Sequence, residues 1–124
     1  MFGRSRSKSE GVGSPEMGWI QMESIEDLDT ALANSKKKKV LIFKHSTTCG
    51  ISNMVLRRFE SSWNADSDIE IHNLDLLRFR NVSNEIANRV GLRHESPQAI
   101  LIQNGEVLYH ESHGRIEASQ IEKA

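Results

Sequence analysis

Residues 39–52 read Lys39-Val40-Leu41-Ile42-Phe43-Lys44-His45-Ser46-Thr47-Thr48-Cys49-Gly50-Ile51-Ser52, and a stretch of helical apolar spacing follows. Val40 to Phe43 is a continuous apolar run, β-branched and aromatic, which suits a central strand covered on both faces. After Cys49, the residues Ile51, Val55, Leu56, Phe59 and Trp63 mark one face of a helix. A strand therefore delivers one sulfur to the start of a helix. The unpaired N–H groups and the positive dipole end there favour a thiolate, the nucleophilic form. Cys49 is the only cysteine. It cannot close an internal disulfide, so a redox partner sulfur must come from outside. The competing reading is an inert buried thiol, since cysteine is among the most buried residue types; the helix-start position favours the nucleophile.

Working outward, Trp19 to Met22 reads as a short first strand, and Ser24-Ile25-Glu26-Asp27 has the form of a capping box with Asp in place of Glu. Ile25, Leu28, Ala31 and Leu32 then follow at helical spacing to about Asn34-Ser35. Lys36 to Lys39 is a run of like charge, read either as a solvated loop or as an anion-binding patch. Beyond the cysteine helix, Ile69 to Leu74 alternates as a strand, and residues 83–89 read as a helix stopped by Gly91. Pro97 opens a strand over 98–103, Asn104-Gly105 is a strong hairpin signal, and residues 106–110 return from it. A last helix is expected from about Ile116 to Ala124. The order β-α-β-α-β-α-β-β-α implies an α/β three-layer sandwich, a mixed central sheet flanked by helices.

The bulk properties agree with a single domain at residues 18–124 behind a disordered tail at 1–17, which is rich in Gly, Ser and charge. A net charge of −1 predicts no general affinity for nucleic acid or anionic membrane. No apolar run approaches the ~20 residues of a bilayer span, and the basic N-terminus lacks the apolar segment of a secretory signal. A single cysteine fits a reducing, cytoplasmic setting.

The element order, with a cysteine opening the helix after a central strand and a proline before the penultimate strand, resembles the thioredoxin fold. The segment Leu41 to Ser52, together with Ser83-Asn84-Glu85-Ile86, His94-Glu95-Ser96-Pro97-Gln98 and Ser112-His113, resembles the monothiol bacilliredoxins, the YtxJ-like proteins of the bacillithiol system. The likeness covers roughly residues 19–124. Gly50 departs from it, since the family often carries Pro there. The resemblance implies an oxidoreductase that removes a low-molecular-weight thiol, bacillithiol, from S-thiolated proteins through Cys49. It implies a cis Ser96–Pro97 bond facing the sulfur, no resident cofactor and a monomer whose partners are modified proteins and the small thiol.

Cys49 is thus the expected catalytic residue, with Lys44, His45, Thr48, Gly50, Ser52, Ser96 and Pro97 as expected substrate-binding residues. Lys44 or His45 could bring positive charge to the sulfur, but successive strand residues face opposite ways, so only one points at it. Their bland readings are solvent exposure for Lys44 and partial core burial for His45. Ser52 takes the place of the second cysteine of a C-x-x-C motif; it can donate a hydrogen bond to the thiolate but cannot resolve an adduct, and it also reads as an ordinary first-turn residue. Thr47 and Thr48 shape the loop. A cis Pro97 would expose the Ser96 backbone to an extended ligand. His94 and Glu95 are rim candidates. His110 and His113 suggest zinc with Cys49, but three-residue spacing along a strand separates them and no fourth ligand is evident, so no metal is expected.

Two other functions fit part of the pattern. Cys49-Gly50-Ile51-Ser52 resembles the Cys-Gly-Phe-Ser site of monothiol glutaredoxins that carry a [2Fe–2S] cluster, although Glu111-Ser112-His113-Gly114 stands where those proteins have a Gly-Gly-Cys-Asp-like turn. A non-catalytic binding module on the same fold is the third reading.

Overall fold

The computed structural model describes residues 17–64 and 66–124 and orders them as β1 (Ile20–Gln21), α1 (Ile25–Asn34), β2 (Val40–His45), α2 (Gly50–Ser62), β3 (Glu70–Asp75), α3 (Arg80–Val90), β4 (Gln98–Gln103), β5 (Glu106–Ser112), a 3-10 turn (His113–Arg115) and α4 (Ala118–Lys123). Most of the expected tail lies outside the described residues; its last member, Met17, packs against the core. The sheet runs β1-β3-β2-β4-β5, with β1, β3 and β2 parallel and β4 and β5 antiparallel to their neighbours. This is the mixed three-layer sandwich of the thioredoxin class.

Every residue of β2 is buried, because the strand sits mid-sheet with helices on both sides. Leu41 and Phe43 face α2 and α4, meeting Val55, Leu56, Phe59 and Ile121. Val40 and Ile42 face α1 and α3, meeting Leu28, Ala31, Val82 and Ile86. Each such apolar side chain contributes about 1.5–3 kcal/mol by leaving water. Trp19 lies 5.9 Å from Phe43 and 5.8 Å from Phe59, ring centre to ring centre, sealing the α2 side.

Local signals set the element ends. The Ser24 hydroxyl accepts from the Asp27 N–H at 3.0 Å, while Asp27 reaches back past the cap to the Glu23 N–H at 2.8 Å, a shorter-armed capping box. Gly91 closes α3 in the left-handed region, and Asn104 and Gly105 both take positive φ, as a tight hairpin requires. Ser35, fully buried, staples that hairpin to the end of α1: its carbonyl accepts from Asn104 N–H at 2.7 Å and its hydroxyl from Gly105 N–H at 2.9 Å.

Three boundaries differ from expectation. Helix α3 begins at Arg80, three residues early, off a turn in which Phe79 N–H donates to Asp75 O at 3.0 Å. Ile116 is not helical; it is buried in extended backbone, and α4 starts at Ala118. The Arg58 guanidinium donates to the carbonyls of Gly114 and Ile116 at 2.7 and 2.8 Å and holds that segment open. Ile51, expected on the buried face of α2, points to solvent, because the helix turns Ser52, Val55, Leu56 and Phe59 inward.

Candidate active site

Strand β2 ends at His45, and four residues later Cys49 caps α2 in extended conformation with its thiol exposed. The intervening loop is tied down by short-range bonds. Ser46 N–H donates to the Ser52 hydroxyl at 3.1 Å, Ser46 and Thr48 hydroxyls share a bond at 3.2 Å, and Cys49 N–H donates to Ser46 O at 3.3 Å. Asn53 closes the other side: its N–H reaches Cys49 O at 3.0 Å and its side-chain amide reaches Thr47 O at 3.2 Å. The loop presents Thr47, Thr48, Cys49 and Gly50 to solvent while Ser46 and Ser52 are buried beneath. A Cβ added to Gly50 would meet open space.

Lys44 and His45 point into opposite layers. His45 faces the α2 side, beside Phe43, with its Nε2 3.1 Å from Asn73 Oδ1. An amide oxygen only accepts, so the neutral ring carries its proton on Nε2. Burial pushes the His45 pKa below its ordinary value, outweighing the opposing pull of Asp75, Asn73 and Glu60. The ring is therefore a neutral support under the loop at pH 7, not a cation beside the sulfur. Lys44 is fully buried on the α1 and α3 side, where Nζ has no hydrogen-bond partner, and desolvation pushes its pKa down to about 8. Neither the solvent exposure of the bland reading nor proximity to the α2 layer applies to it.

Pro97 follows a cis bond from Ser96 and opens β4, at the sheet end where β2 leaves for Cys49. Pro97 is buried and Ser96 half-buried, and Pro97 O accepts from His113 N–H at 2.9 Å. The rim candidates split. Glu95 lies 3.3 Å from His113, while His94 Nδ1 lies 3.4 Å from the Ser83 hydroxyl. Burial, Lys44 and Arg80 depress the His94 pKa. His110 stays on β5, but His113 starts the 3-10 turn at φ 57°, beyond the strand. Among the described residues, no three His, Cys, Asp or Glu side chains are grouped to hold a metal. A cavity of about 260 Å³ lies between Leu92, Arg93 and Glu95 on one side and the end of β5 on the other, with Gln98 in its wall.

Sequence reasoning missed the buried polar residues that support this end of the sheet: Asn73 under His45, and Gln98, whose amide donates to Arg93 O at 3.1 Å. The available signal was polar residues interrupting apolar strands, His72-Asn73 in β3 and Gln98 opening β4.

The family of "Monothiol bacilliredoxin BrxC" matches residues 20–121. Among solved structures, the chain is similar to a thioredoxin-fold protein provisionally assigned as an oxidoreductase, at 30% identity and a TM-score of 0.74 over 86% of this chain and 92% of that one. A thioredoxin from Fasciola hepatica gives 12% identity and a TM-score of 0.66 over 83% and 92% of the two chains. One from Nicotiana alata gives 18% and 0.67 over 93% of each. At these identities the two thioredoxins show the fold alone. No helix among the described residues is long and apolar enough to cross a membrane.

Proposed function

This chain belongs to the monothiol bacilliredoxin family, a thioredoxin-fold family of thiol oxidoreductases, and from that premise we propose that it removes bacillithiol from protein cysteines in the cytoplasm, with Cys49 as nucleophile and no resident cofactor. The observation that carries the reading is the exposed Cys49 thiol at the cap of α2, the one sulfur nucleophile in the chain. The Cys49 thiolate attacks the bacillithiol sulfur of a mixed disulfide. The protein sulfur leaves as a thiolate, and Cys49 retains bacillithiol in a new disulfide. A second small-thiol thiolate then attacks that adduct, forming a small-thiol disulfide and releasing the Cys49 thiolate; over the cycle the incoming thiol is oxidised to the disulfide level as the protein sulfur is reduced to a thiol. Ser52, buried and bonded to Ser46, cannot perform the second step, so the cycle is intermolecular. Thr48, Gly50, Ser96 and Pro97 frame the approach to Cys49 from the loop after β2 and the entry to β4, while His45 supports that loop from beneath and Lys44 supports that end of the sheet from the opposite layer.

The test is to incubate a bacillithiol-modified protein with wild type and Cys49→Ala and weigh each species. Wild-type Cys49 is expected to gain the bacillithiol mass as the substrate loses it. Reduction of the substrate with no mass gain at Cys49, or equal activity in Cys49→Ala, overturns the mechanism.

A further inference from the structure

Among the described residues, five large apolar side chains stand out into solvent: Ile20, Ile51, Met54, Leu77 and Leu108. Ile20 and Leu108 lie on the two edge strands of the sheet. The other three gather at the end that carries Cys49. Leu77 follows Leu76, whose N–H donates to His45 O at 3.0 Å. Ile51 and Met54 lie on α2 just past Cys49 and are 61% and 62% exposed.

Residues three apart on a helix are surface neighbours, so Ile51, Met54 and Arg57 form one ridge leading away from the sulfur. Arg57 is exposed about 12 Å along the axis from Cys49, at 1.5 Å per residue. The next arginine, Arg58, is occupied by the Gly114 and Ile116 carbonyls. The ridge is therefore apolar at the end of α2 that Cys49 caps and cationic one turn further along. Scattered exposed apolar residues need no explanation by themselves. Here their position supplies one, because a polypeptide that brings a sulfur to Cys49 from this side crosses Ile51 and Met54.

We propose that the Ile51–Met54–Arg57 ridge docks the protein half of the mixed disulfide, and that it selects modified cysteines with apolar neighbours and an acidic residue three to four positions away. That spacing is about 12 Å of extended chain at ~3.3 Å per residue, matching the distance to Arg57. The proposal rests on the redox reading above and adds which proteins it acts on. The small thiol takes no part in this contact, so a small mixed disulfide bypasses it.

The test uses two synthetic peptides with bacillithiol on a central cysteine, one flanked by Leu and Glu, the other by Ser and Lys, and the mixed disulfide of bacillithiol with 2-mercaptoethanol as reference. Wild type is expected to favour the Leu/Glu peptide by about tenfold in kcat/KM. The Ile51→Ser/Met54→Ser protein should lose that preference, its peptide-to-reference ratio falling about tenfold, and Arg57→Glu should invert the charge preference. Equal kcat/KM for both peptides in wild type overturns the proposal. So does an equal loss on the reference disulfide, or a dimer in sedimentation that Met54→Lys dissolves, which would give the ridge to a second copy. Should wild type fail even on the reference disulfide, the redox reading falls instead. Docking is then judged from peptides with Ser in place of Cys. Amide shifts at Ile51 and Met54 for the Leu/Glu peptide support it, and their absence sinks it.

Discussion

The Ser52 hydroxyl, buried one turn beyond the sulfur of Cys49, accepts a hydrogen bond from the Ser46 N–H at 3.1 Å and so fixes the loop that carries the thiol. The position that in a dithiol site would hold the second sulfur is here a structural clamp. Replacing Ser52 by Ala leaves a buried N–H unpaired, which costs about 1–3 kcal/mol. Urea melts of Ser52→Ala should show that loss, while Cys49 still takes up bacillithiol. An unchanged midpoint would mean that the clamp contributes nothing.

Lys44 predicts a stability that rises with pH in the alkaline range. Its folded pKa is about 8, below the 10.5 of an unperturbed lysine. Between those values the unfolded chain binds more protons than the folded one, so stability rises with pH across about 8 to 10.5. The rise is at most about 3 kcal/mol. Lys44→Met should be more stable than wild type at pH 7, and the difference should shrink as pH climbs through this window. A constant difference from pH 7 to 10.5 would refute a buried ammonium.

His45 and His72 act at lower pH. Burial depresses both pKa values below 6.5. The unfolded chain therefore takes up protons first, and stability falls as pH drops below about 6.5. Ring NMR titrations should place both midpoints below the free-histidine value. Either ring titrating above 6.5 would contradict the burial argument.

Gly50 is the first helical residue of α2, its Cβ direction is open, and Cys49 before it is extended at φ −103° and ψ 120°. Those are the conditions proline accepts: no helical N–H bond to lose and a preceding residue outside the helical region. Gly50→Pro should raise stability by about 0.4–1 kcal/mol by narrowing the unfolded ensemble. Thermal melts check it, and a lowered Tm would show that the loop needs glycine.

Elements built on local chemistry were legible from the chain. The apolar run at Val40–Phe43, the Gly91 stop and the Asn104-Gly105 turn appear where their residues call for them, because each depends on a few neighbours in sequence. What escaped depends on distant partners. The phase of α2 was misjudged because Ser52 looks polar and Ile51 apolar, whereas the Ser46 backbone gives Ser52 a reason to turn inward. Lys44 reads as a surface residue until α1 and α3 cover it, and His45 acquires its role from Asn73, twenty-eight positions away. The extended path at Ile116 depends on Arg58.

That forked arginine has a mechanical consequence. By gripping two carbonyls of the chain after β5, those of Gly114 and Ile116, Arg58 braces the helix behind Cys49 against tilting, since any rotation of α2 must drag the 114–116 segment with it. Room for a bulky adduct then has to come from the exposed Thr47–Thr48 stretch or from the incoming molecule. The thiol is mounted on a stiff post, and the give in the encounter belongs to whatever meets it.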